Sequence, residues 1–161
     1  MSLLFCDSFD HYATADITAK WSSTSGTVTV ASGGRRSTNC ASVSNGTTGK
    51  TLAPGDATCV YGCAFIVTVV ANNSFLRVYD AGTVQLAFRV KTDGTLDALR
   101  NGVTVLGTST VSLLSNTYYY LEVKTTIGNS GSYEIRVNGV NVLSASGVDT
   151  QRPREIGRAH V

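Results

Sequence analysis

The stretch GSYEIRVNGVNVLSA, residues 131–145, decides the fold class. Asn138 followed by Gly139 is the strongest short hairpin signal in a sequence. A two-residue type I′ turn needs two residues that accept positive φ, and these two do. Folding the chain there sets Val137 against Val140, Ile135 against Val142 and Tyr133 against Ser144. Glu134 and Arg136 point the other way. One face is apolar and the other polar, the pattern of a half-buried antiparallel pair.

Working outward, the segment NTYYYLEVKTTI (116–127) alternates in the same way. Tyr119, Leu121 and Val123 share one face; Tyr118, Tyr120, Glu122 and Lys124 share the other. GNSG (128–131) turns the chain into the next strand. Further upstream, SFLRVYDAGTVQLAFRV (74–90) reads as a hairpin closed around Ala81, Gly82 and Thr83. That loop sets Val78 opposite Leu86 and Leu76 opposite Phe88, which keeps the apolar faces together. KTDG (91–94) turns into TLDALR, and Asn101 with Gly102 predicts a second two-residue turn. CVYGCAFIVTVV (59–70) is long and mostly apolar, which predicts a central strand buried on both sides. TVTVA (27–31) and NCASV (39–43) predict short strands. The one helical segment is a turn or two around TADITAKW (14–21), with Asp16 as cap and Trp21 packing inward. Many short strands with turn residues between them predict an all-β antiparallel sandwich. No internal repeat or linker divides the chain, so residues 1–154 are read as a single domain.

Composition agrees. The chain has 161 residues, enough for one domain with a real core. Glycine is frequent at 16, proline scarce at 2, and threonine and serine are common. Charged residues make up only 15% and the net charge is +2, which argues against a nucleic-acid surface. The adjacent Arg35 and Arg36 read as a solvated loop. The start MSLLFCDSFD has no basic n-region and its apolar run stops at Asp7, so no signal peptide is expected. No window is apolar enough to cross a membrane. Cys6, Cys40, Cys59 and Cys63 read as small core side chains of a reducing compartment. Neither a disulfide nor a zinc site is expected from their spacing.

Two stretches carry a resemblance. LLFCDSFDHYATADITAKW (3–21) and NTYYYLEVKTTIGNSGSYEIRVNGVNVLSASGVDTQ (116–151) resemble bacteriophage virion structural proteins with a concanavalin A-like, laminin-G-like jelly roll. The resemblance spans most of residues 1–150. It implies a virion component (tail, fibre or decoration) assembled in the host cytoplasm without a signal peptide. Its implied partners are other virion proteins and host-surface glycans, with no nucleic acid and no membrane. In that family a last strand returns to pair with the first. Here that strand is not seen, which would leave the jelly roll incomplete at its C-terminus and LLFCDSF an open edge. The final EIGRAHV (155–161) resembles a translated sequencing adapter and is read as a non-native scar. A carbohydrate-binding module of a bacterial protein is the alternative, although such modules normally need export.

Catalysis is not expected. Glu122 and Glu134 lie on separate strands, and the E-x-D-x-E strand of glucanases on this fold is missing. His11 beside Asp10 reads as a structural loop pair. Asp93 and Asp97 are the nearest candidates for calcium, but they lack a loop site's dense oxygen pattern. No cofactor is expected. Tyr118 and Tyr120 remain as the candidate binding residues. Two apart on a strand, they form a flat aromatic strip beside Glu122 and Lys124, able to stack on sugar rings or anchor a partner. The competing reading covers both rings with a neighbouring layer.

Overall fold

The turn at Asn138 and Gly139 forms as the sequence dictates, with φ of 51° and 82°. It joins β9 (Gly131–Val137) to β10 (Val140–Val148), with Val137 opposite Val140. The computed structural model describes residues 5–36, 38–52, 58–68 and 70–151. The tail at 155–161, like Leu3 and Leu4 of the expected edge, lies outside the described residues. The chain forms two compact units, Met1–Gly55 and Asp56–Val161.

The second unit is an all-β antiparallel sandwich. Its remaining strands are β3 (Thr58–Ile66), β4 (Asn73–Asp80), β5 (Thr83–Val90), β6 (Thr95–Arg100), β7 (Thr104–Ser112) and β8 (Tyr118–Thr126). One sheet has the order β10-β9-β8-β3 and the other β4-β5-β6-β7. The chain leaves the first sheet after β3, builds the second as a meander, and returns as β8 antiparallel to β3. This connection is jelly-roll-like. Alternation supplies the core: Leu86, Phe88, Leu96 and Ala98 come from one sheet, and Leu121, Val123, Tyr133 and Ile135 from the other. Each such large side chain, fully buried, contributes about 1.5–3 kcal/mol relative to exposure. Phe88 sits at the centre, its ring 6.5 Å from Phe75 and 6.3 Å from Tyr133. Arg100 and Asp149, 2.7 Å apart, tie the end of β6 to the chain beyond β10. The Thr150 hydroxyl accepts the Gly128 amide at 2.9 Å and reaches the Thr126 carbonyl at 2.9 Å. Gly131 makes room for it, because a Cβ there would stand 2.1 Å from that hydroxyl.

Several registers differ from the sequence reading, and bulges are the common cause. Beyond the Asn138 turn, β10 shifts by one residue between Asn141 and Leu143. Ile135 therefore faces Leu143, not Val142, and Tyr133 faces Ala145, not Ser144. In the β4–β5 hairpin Leu76 does face Phe88 and Val78 does face Leu86. The loop, however, is a two-residue turn at Ala81 and Gly82, and a bulge between Val78 and Tyr79 restores the expected pairs. At Asn101 and Gly102 Arg100 pairs with Thr104, so three residues make the loop and Val103 is exposed. The largest correction concerns β3. It stands at the end of its sheet, and Val60, Gly62, Cys63 and Ala64 are exposed. The central, buried strand is β5.

The first unit holds a 3-10 turn (Thr14–Asp16), α1 (Ile17–Lys20), and a hairpin of β1 (Ser23–Ser32) with β2 (Asn39–Gly49), both longer than expected. Asp16 makes no capping hydrogen bond through its side chain. Residues 5–10 form no strand. They fold around Asp7, whose side chain is 2% exposed. Asp7 accepts hydrogen bonds from Tyr12 Oη, from Trp21 Nε1 at 2.6 Å, from Lys20 Nζ at 3.0 Å and from the Phe9 amide at 3.1 Å. Burial alone would raise the Asp7 pKa, but these donors outweigh it and hold it at about 2. Burial and the Asp7 carboxylate push Tyr12 up to about 12. Trp21 is half-buried, stacked on Phe9 at 5.7 Å and edge-on to Phe5 at 4.9 Å. Cys6, Cys40, Cys59 and Cys63 form no disulfide. Cys6 and Cys63 are exposed and Cys40 and Cys59 half-buried, so none is a core side chain. No helix among the described residues is long and apolar enough to cross a membrane.

Candidate functional site: the outer face of the β8 sheet

Alternation along β8 separates two jobs. Leu121, Val123 and Thr125 are buried and face the sandwich interior. Tyr118, Tyr120, Glu122 and Lys124 share the outer face, as their parity predicts. Tyr120 is 41% exposed, whereas Tyr118 is half-buried. Between them Tyr119 is half-buried, packs on the core and accepts the Leu114 amide on its hydroxyl at 2.9 Å.

Tyr120 is held from both sides. Asn138, the hairpin residue, accepts the Tyr120 amide on Oδ1 at 2.9 Å and donates its own amide to the Tyr120 carbonyl at 2.8 Å. On the opposite neighbour strand Tyr120 pairs with Ala64, and the tip of its ring lies over Gly62. A methyl group at position 62 would stand 3.0 Å from the Tyr120 hydroxyl oxygen and 3.7 Å from Cζ. Gly62 is therefore the floor on which the ring tip rests.

Charges continue the face away from the ring. Register puts Glu122 beside Arg136 and Lys124 beside Glu134. Arg136 Nε donates to Glu134 Oε1 at 2.5 Å, and that bond, with Glu122 nearby, raises the Arg136 pKa further above its ordinary value. Among the described residues no carboxylate lies within ion-pair distance of Lys124. A depression of about 360 Å³ opens next to it, lined by Lys124, Ser132, Glu134, Ser144 and Ser146 above Tyr133 and Ala145. At the far end of the face the hydroxyls of Thr58 and Thr126 bond each other at 2.8 Å.

The other sequence candidates are occupied elsewhere. Asp93 accepts the Thr95 amide at 2.9 Å and the Thr95 hydroxyl at 2.6 Å, as a turn residue does. Those bonds come first and Lys91 adds to them, holding the Asp93 pKa at about 2. Asp97 is buried, gripped by Arg89 at 2.7 and 2.9 Å and by the Thr108 hydroxyl at 2.6 Å. Asp10 accepts the Asn39 amide at 2.9 Å, and His11 beside it is exposed. Among the described residues no group of three or more His, Cys, Asp or Glu is placed to hold a metal.

Sequence reasoning placed Tyr118, Tyr120, Glu122 and Lys124 on one face. It missed Gly62 beneath Tyr120, the clamp from Asn138 and the serine-lined depression, all of which need long-range strand pairing. Compared with protein-family models, with curated proteins and with solved structures, the chain matches none.

Proposed function

We propose that this chain is a non-catalytic structural and adhesion domain of a bacteriophage particle (tail, fibre or decoration) and that its outer β8 face engages host-surface glycans. The observation that carries the binding role is Tyr120. It is a half-exposed ring with its backbone clamped, its tip resting on a glycine, and charged groups on the same face. A ring fixed in that way loses little entropy when a sugar stacks on it. The virion role rests on the likeness of residues 3–21 and 116–151 to phage virion proteins, and its partners are then other virion proteins. The same face would serve a carbohydrate-binding module of a bacterial protein. Detection of the chain in purified particles separates the two readings.

The test is the double variant Tyr118→Ala with Tyr120→Ala. Its fold is checked by circular dichroism, and its adhesion to host cells and assembly onto particles are measured. Retained fold with weakened adhesion or assembly supports the role. An unfolded variant assigns the tyrosines to the core, and a folded variant that binds normally moves the site elsewhere.

A further inference from the structure

We infer that the depression beside Lys124 is a subsite for the acidic group of a charged glycan. The inference rests on the binding role proposed for this face and names the ligand class. The depression combines three features. Lys124 brings an ammonium with no carboxylate in ion-pair reach among the described residues. Ser132, Ser144 and Ser146 bring hydroxyls that both donate and accept, the groups that pair with sugar hydroxyls. Glu134 is already paired to Arg136, so its charge is partly neutralised while its free lone pairs can accept from a sugar hydroxyl. A neutral sugar would leave the Lys124 ammonium unused; a carboxylate would pair with it, and charge-assisted hydrogen bonds are about twice as strong as neutral ones.

Position adds a second constraint. Lys124 lies four residues from Tyr120 on β8, on the same face. At strand rise that is about 13 Å. One sugar ring does not cover both, so the fitting ligand is an oligosaccharide with a stacked ring at Tyr120 and a uronic or sialic residue toward Lys124.

The experiment titrates the whole chain with oligosaccharides ending in glucuronic, galacturonic or sialic acid, each beside its neutral counterpart. Binding is followed by calorimetry and by amide shifts. The expected result is a preference of about tenfold for at least one acidic ligand, the scale of a hydrogen bond to a charged group. The preference shrinks as salt rises. Lys124→Gln should abolish the preference, and Lys124→Arg should keep it. Tyr120→Ala should weaken acidic and neutral ligands together. Equal binding of acidic and neutral partners overturns the subsite and leaves the glycan role of the face standing. A preference that survives Lys124→Gln also overturns it. Binding of neither kind, with host-cell adhesion intact in the Tyr118/Tyr120 double variant, overturns both.

Discussion

The two units solve the same problem with different chemistry. In Asp56–Val161 strands from two sheets bury Leu86, Phe88, Leu96, Leu121, Val123 and Ile135 against one another, and polar bonds such as Arg100–Asp149 sit at the margin. In Met1–Gly55 the buried apolar side chains among the described residues are Ile17 and Val28, and a second ordering element is a carboxylate with four donors. Apolar burial is non-directional and insensitive to pH; a buried carboxylate is directional and titrates. Packing defects should therefore cost most in the second unit, and acid should act most in the first.

Phe88→Ala tests the first half of that contrast. Phe88 is fully buried and meets aromatic rings from both sheets, so truncation should cost about 3–5 kcal/mol through lost burial and the cavity left behind. Denaturant unfolding followed by circular dichroism measures it. A loss under about 1 kcal/mol would mean that the site collapses without penalty, and the contrast would lose its apolar arm.

Asp7→Asn tests the second half. Removing the charge while keeping the shape should cost roughly 2 kcal/mol at neutral pH, because four donors lose an ionised acceptor. The acid response follows from the sign of the shift. The folded pKa, about 2, lies below the unfolded value of about 3.9. Such a carboxylate contributes stability that is fully present above about pH 4 and lost as pH falls toward 2. Trp21 is the single tryptophan and bonds Asp7 directly, so its fluorescence reports the loss. The wild type should change between pH 4 and 2, and Asp7→Asn should show no such step. A wild-type signal flat through that window would break the comparison.

Asn138→Ala links the hairpin to the site. Alanine at φ 51° costs about 1–2 kcal/mol of backbone strain, and the bond to the Tyr120 amide goes as well. Asn138→Gly removes the strain and keeps only the lost bond, so it should recover most of the stability. If both variants lose glycan binding by similar factors, the clamp acts on Tyr120 and not merely on the turn.

How much of this was legible follows from which interactions are local. Period-two alternation in 118–124 and the Asn138-Gly139 pair gave the class, the faces and the outward parity of Tyr118 and Tyr120, because those signals need only neighbouring residues. The one-residue bulges near Val142 and Val78 were not legible, since alternation is blind to a single extra residue. β3 was misplaced because an apolar run reads alike at the centre and the edge of a sheet. The Asp7 cluster escaped because its members are scattered from Asp7 to Trp21 with no period to betray them. Nothing in the local sequence marks Gly62; only its pairing beside Tyr120 shows what it accommodates.

Gly62→Ala is the smallest perturbation and the sharpest for the site. A glycine in a strand is entropically costly, so alanine should leave stability within about 0.5 kcal/mol or raise it slightly. The atoms nearest the added methyl are the tip of the Tyr120 ring at 3.0 and 3.7 Å and the Leu121 carbonyl oxygen at 3.8 Å. The ring tip is the part free to yield, so the ring should tilt off its floor while the sheet stays as it is. Glycan binding should then fall by about fivefold, the equivalent of roughly 1 kcal/mol, with an unfolding midpoint equal to or above that of the wild type. Weaker binding with undiminished stability has no explanation in a loosened sandwich and places the effect on the ring itself. Unchanged binding would show that the position of the Tyr120 ring does not matter, and the stacking role would pass to another part of the face.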